Sequence, residues 1–172
     1  HCTVHYIIDG NVFNLAIQYV PVGTALNIPS PVVPYYTPIH DVMDGRISIN
    51  CSTDVVYTRN SRIVTITCVD ADGKVLDVYA EPVDEGTTKT IYAKPITGYI
   101  PRETAITVEM ETSDISRTWV YDVKSHPVTI SYKYLHNDAM AAETYTTTLN
   151  YGDSIKIASP AIVGYQVANA AD

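Results

Sequence analysis

The chain is predicted to be an all-β, β-rich protein built from tandem copies of one short unit. Three observations lead there. Val, Ile, Thr and Tyr dominate the 172 residues, with 14 Tyr against one Phe and one Trp, and such side chains suit a pleated, half-buried surface. Pro and Gly fall mostly between apolar stretches, where turns are expected. Landmark residues recur at a nearly fixed spacing, the mark of an internal repeat. The nearest approach to a helical pattern, the Ala-rich Asp138–Glu143, is too short to form a helix alone.

Each copy opens on a strand whose residues alternate apolar and polar. Cys2, Val4 and Tyr6 match Val64, Ile66 and Cys68, which match Val128, Ile130 and Tyr132. A Gly and a short strand follow: Gly23 to Ile28, Gly86 to Ile91 and Gly152 to Ile157. Then comes Pro31, Pro95 or Pro160, and next a Tyr, in Pro34-Tyr35, Gly98-Tyr99 and Gly164-Tyr165. The Gly spacings are 63 and 66 residues, and the Tyr spacings are 64 and 66. Toward the end of a copy, Ile47–Cys51 aligns with Ile106–Met110, and Val55-Val-Tyr57 with Trp119-Val-Tyr121. Each copy thus reads as four or five strands, with boundaries at 1–60, 61–124 and 125–172. The third copy lacks the last two strands. Short linkers, Thr58–Ser61 and Asp122–His126, join the copies and imply an extended array with limited freedom.

Charge excludes some partners. The net charge is −8, with no basic run, so the chain has no electrostatic footprint for nucleic acid. No apolar run among these residues is long enough to span a bilayer and none reads as a signal peptide, which is expected to lie outside them. The chain, which starts at His1, is read as a piece of a longer protein.

Catalytic and metal motifs are not found. No two of Cys2, Cys51 and Cys68 have zinc-knuckle spacing. The five histidines, His1, His5, His40, His126 and His136, form no zinc-type pair and read as surface residues. Asp70-Ala-Asp72-Gly73 resembles the start of a calcium loop, but Lys74–Val78 supplies few oxygen ligands, so a hairpin turn is expected. There is no Gly-x-Ser-x-Gly and no phosphate loop. Glu81, Asp84 and Glu85 read as a solvated acidic turn. No enzyme activity, cofactor or metal is expected.

The run Val64-Thr-Ile-Thr-Cys-Val-Asp-Ala-Asp-Gly-Lys-Val-Leu76, with Gly86, Ile96-Thr-Gly-Tyr99 and Trp119-Val-Tyr121, resembles the mucin-binding-protein (MucBP) repeat of Gram-positive surface proteins. It is also similar to internalin-type B repeats. The second copy fits best. The first departs from the pattern, with Pro34-Tyr35 in place of Gly-Tyr. The resemblance implies tandem small β-grasp or ubiquitin-like modules on a secreted adhesin anchored to the bacterial cell wall. In such a fold the first strand and a late strand are neighbours. Cys2 and Cys51, inward by alternation, are then a disulfide candidate, set against two buried free thiols.

The remaining surplus is aromatic. Tyr35, Tyr99 and Tyr165 recur by position and read as core. Tyr36, Tyr79, Tyr92, Tyr134 and Tyr145 do not recur. They are the candidate ligand contacts, able to stack on sugar faces or anchor a protein; the competing reading is cross-strand Tyr–Thr pairing. The expected function is adhesion to host mucin, other glycans or proteins, at the outer surface of the cell. A stalk that carries another domain is the first alternative, and an accessory module of a secreted enzyme the second. The expected partner is a host glycoprotein, mucin or another surface protein, with no nucleic acid and no membrane insertion.

Overall fold

A computed structural model describes residues 1–46 and 49–168. The chain divides into two compact units. The first comprises His1–Ile66, Tyr79–Ile91 and Ile106–Arg117; the second comprises Thr67–Val78, Tyr92–Ala105 and Thr118–Asp172. The division runs through the second repeat. Among the described residues there is no helix, so the architecture is all-β.

The first repeat contributes β1 (Cys2–Ile8), β2 (Asn11–Gln18), β3 (Ala25–Pro29), β4 (Tyr36–Pro38), β5 (Val42–Arg46) and β6 (Cys51–Arg59). Its main sheet runs in the order β2-β1-β6-β4, and β3 pairs with β5 beside it. Asp9-Gly10 closes the β1–β2 hairpin, with a bulge between Tyr6 and Ile7. The first and last strands lie side by side and parallel, Cys2 against Cys51 and Tyr6 against Val55. That is the adjacency expected of a β-grasp-like unit. Alternation drives the packing: Val4, Tyr6, Val55 and Tyr57 turn inward and are buried with Ile28. Apolar side chains on one pleated face have no lower-energy place than against each other.

The second repeat contributes β7 (Ser61–Val69), β8 (Val75–Asp84), β9 (Thr87–Tyr92), β10 (Tyr99–Pro101), β11 (Ala105–Met110) and β12 (Ile115–Val123). The sheet order β10-β12-β7-β8, with β9 paired to β11, is the first repeat's order read from the other end. In the first unit Val64 and Ile66 are buried, and in the second Cys68, Trp119 and Tyr121 are. They occupy the positions of Cys2, Val4, Tyr6, Val55 and Tyr57 in the first repeat. Two hydroxyls show the equivalence at atomic scale. Tyr57 OH donates to the Pro31 carbonyl at 2.6 Å, and Tyr121 OH to the Lys94 carbonyl at 2.8 Å.

The third repeat has only the opening pair, β13 (Ser125–Ile130) and β14 (Tyr145–Asn150), antiparallel. No described residue from 151 to 168 lies in a strand. Val128 and Ile130 are therefore half-buried where their counterparts are fully buried.

Three sequence readings shift. Each complete repeat has six strands rather than four or five, because β4 and β10 are only three residues long and show no alternation. The counterpart of β11 is β5, since each pairs with the strand after the mid-repeat Gly; Cys51 instead opens β6. Ile47 and Ser48 of that alignment lie outside the described residues.

The third shift concerns the recurring Tyr. Tyr36 and Tyr99 each begin a three-residue strand. The amides of Tyr36, Tyr99 and Tyr165 donate to Val33, Ile96 and Ile162 in the same kind of turn. The recurring set is Tyr36, Tyr99 and Tyr165, and Tyr35 stands where Gly98 and Gly164 stand, sharing their positive φ.

Candidate functional site

The candidate aromatics are spread along the chain. Tyr36 is half-buried against the first core. Its hydroxyl accepts from Arg59 Nε at 3.0 Å, and the Arg59 guanidinium lies 5.0 Å over its ring. Tyr79 is buried, because alternation along β8 turns it inward with Val83. Tyr92 is 72% exposed. Tyr134 and Tyr145 both lie in the third repeat. Tyr134 packs on Tyr165 with ring centroids 4.7 Å apart, and His136 lies 5.7 Å from Tyr134. These three rings line an open cleft of about 950 Å³. Tyr145 lines a smaller hollow with Tyr132. Tyr165, expected in the core, is 54% exposed because the third repeat has only one strand pair, and neither its spacing nor the surface reading of His136 signals a meeting with Tyr134.

Cys2 and Cys51, register partners across the parallel pair, are joined as a disulfide with Cα atoms 4.6 Å apart. Cys68 is free and buried, and burial raises its thiol pKa, so it is poorly suited to nucleophilic work. The Asp70–Lys74 segment is a hairpin turn. The Asp70 carboxylate accepts the amides of Asp72 and Lys74.

One polar cluster was unforeseen. On the outer face of the first sheet His5 Nδ1 lies 3.0 Å from Asp54 Oδ1 and 3.4 Å from Ser52 Oγ. Both partners meet the same ring nitrogen. A serine triad needs the acid on one nitrogen and the hydroxyl on the other, so this set lacks the relay geometry. Among the described residues no group of three or more His, Cys, Asp or Glu is arranged to hold a metal ion.

The acidic turn before Gly86 is only partly solvated. Glu85 is 1% exposed. It accepts from Arg62 Nε at 2.5 Å and from Asn60 Nδ2 at 3.1 Å. Sequence missed this because Arg62 and Asn60 belong to the strand and linker some 25 residues earlier.

These residues form a repeat-to-repeat joint within the first unit. The Asn60 amide donates to the Tyr35 carbonyl, and the Asn60 carbonyl accepts from Glu85, both at 2.9 Å. The Tyr35 ring lies over Gly86, and its hydroxyl donates to Glu111 at 3.2 Å. The second unit holds an equivalent joint. The Lys124 amide donates to the Gly98 carbonyl at 2.8 Å, and its own carbonyl accepts from Tyr151 at 2.7 Å. Here Tyr151 supplies the ring and Gly98 the space beneath it. Each joint has one tyrosine on one glycine, from opposite sides.

The chain is similar to several solved structures, a repeat of a mucus binding protein and repeat domains of a cell surface protein among them. Mub-RV shares 14% identity over 72% of this chain and 98% of that one, with a TM-score of 0.27. A type 2 repeat of the mucus binding protein MUB from Lactobacillus reuteri shares 12% over 72% and 98%, with a TM-score of 0.28. Domains 3-4 of the Streptococcal High Identity Repeats in Tandem (SHIRT) from a cell surface protein share 10% over 72% and 97%, with a TM-score of 0.37. No family profile and no curated protein matches the chain.

Proposed function

We propose that this chain is a non-enzymatic repeat region of a bacterial cell-surface protein, divided at 1–60, 61–124 and 125–172, that adheres weakly to glycan chains of mucin type. The observation that carries the reading is the third-repeat cleft, where Tyr134, Tyr165 and His136 converge. Aromatic faces beside polar ring edges suit a sugar, which offers C–H faces and hydroxyl rims. Tyr92 and Tyr145 are further contacts in this reading. The Cys2–Cys51 disulfide supports an extracellular setting, since such bonds persist in oxidising compartments.

Surface-immobilised mucin, intact and deglycosylated, provides the test. The reading expects binding to the intact form alone, weakened about tenfold or more by Tyr134→Ala. Equal binding by Tyr134→Ala contradicts it.

A second reading, a spacer that carries another domain, draws on the two repeat joints. Absence of binding to every glycan, with both joints intact, would favour it.

A further inference from the structure

β2 and β8 are equivalent strands, and each ends its sheet. An edge strand presents unpaired backbone groups to any other strand, and proteins blunt such edges with charge and proline. β8 is blunted: it carries Asp77, Glu81, Pro82 and Asp84. β2 reads Asn-Val-Phe-Asn-Leu-Ala-Ile-Gln, with neither charge nor proline. Its Val12, Leu15 and Ile17 are 54%, 52% and 53% exposed, and Tyr19 just beyond is 77% exposed. Both strands tie one amide to the preceding side chain. Val78 N–H donates to Asp77 Oδ1 at 2.9 Å, and Leu15 N–H to Asn14 Oδ1 at 2.8 Å. The guard on β8 is an anion. The guard on β2 is a neutral amide that can swing aside and pair with another amide.

The sequence of β2 specifies its partner. A two-fold axis at Ala16, on the regular part of the strand beyond the bulge, sets Ala16 opposite its copy, Leu15 opposite Ile17 and Asn14 opposite Gln18. Amide meets amide and apolar meets apolar, and no charge faces its own copy, as a self-complementary contact requires. The equivalent operation on β8, about Tyr79, sets Asp77 opposite Glu81, carboxylate against carboxylate. In a chain of net charge −8, a neutral strip is also where two copies approach with least repulsion. We propose that two copies of this chain associate through antiparallel β2–β2 pairing, which continues the first-repeat sheet across both. This rests on the edge alone and is independent of the adhesion reading.

Sedimentation equilibrium of the whole chain tests it. The wild type dimerises with a Kd on the order of 10–100 µM, the weak end for a single strand pair. Ile17→Lys and Leu15→Lys, at exposed positions, each weaken the dimer about tenfold or more, while Val78→Lys on the guarded edge leaves it unchanged. Far-UV circular dichroism and urea melts of the whole chain verify that each variant is folded. For the register, Leu15→Cys protein mixed with Ile17→Cys protein forms the mixed disulfide in excess over either homodimer. A wild type that stays monomeric at about 0.5 mM, Lys variants that dimerise as well as wild type, or a Val78→Lys variant that dimerises as poorly as Ile17→Lys overturns the proposal. Homodimers equal to the mixed product overturn the register.

Discussion

Tyr35 has φ +66° where the second repeat has Gly98 at +82°. Left-handed backbone crowds a side chain, so the first joint holds this conformation through the ring's seat on Gly86 and the bond to Glu111. A Cβ on Gly86 would lie 2.5 Å from that ring, and one on Gly98 would lie 2.0 Å from the Tyr151 ring. Gly86→Ala and Gly98→Ala are therefore each expected to destabilise the protein by roughly 1–3 kcal/mol in urea melts. Adding Tyr35→Ala to Gly86→Ala recovers part of the loss, which a double-mutant cycle reads directly. Most inward positions were legible, since Val4, Tyr6, Val64 and Ile66 sit on clean alternation. The Tyr register was misread by one residue. Pro34-Tyr35 looks like Gly-Tyr by order of letters, and only the backbone shows that Tyr35 takes the glycine's place.

Two buried phenols contribute to stability on the alkaline side. Burial raises the pKa of Tyr6 and of Tyr57. In the unfolded chain tyrosine ionises at about pH 10. The folded state keeps the neutral form, so its contribution is complete below that pH and is lost as pH rises through the folded values. Melting temperature should fall as pH rises above about 10, and Tyr6→Phe should flatten that fall. An unchanged slope in Tyr6→Phe would contradict the assignment.

Among the elements, the parallel pair β1–β6 carries the staple. Its cysteines are 49 residues apart, and closing a loop of that length stabilises by about 4 kcal/mol in the chain-entropy model. Cys2→Ala/Cys51→Ala, or reduction, should lower the stability of the first unit by about 2–4 kcal/mol. Intact and reduced mass, with alkylation counts, verifies the bond. A second expectation concerns Glu85. Arg62→Ala leaves a buried carboxylate short of a partner and should cost about 1–3 kcal/mol. Strands were legible in the sequence only where copies could be overlaid, and their order was not. β4 and β10 left no trace, because three residues show no period. The joints were illegible, because each is made of backbone groups from separate segments.

On the scale of the whole molecule, one arrangement of six strands is laid down twice, and its opening pair a third time. Composition and spacing made this legible. The candidate cleft was not, because His136 meets Tyr134 through a loop with no pattern. Native-state hydrogen exchange, read residue by residue, tests the shared plan most directly. The account predicts slow amides on β1 and β6 in the first repeat and on the equivalent β7 and β12 in the second, with matched protection at Val4 and Ile66 and at Tyr57 and Tyr121. It predicts fast exchange at 131–144 and 151–168, outside any complete sheet. Protection on β1 and β6 without its counterpart on β7 and β12, or equal protection across the third repeat, would contradict it.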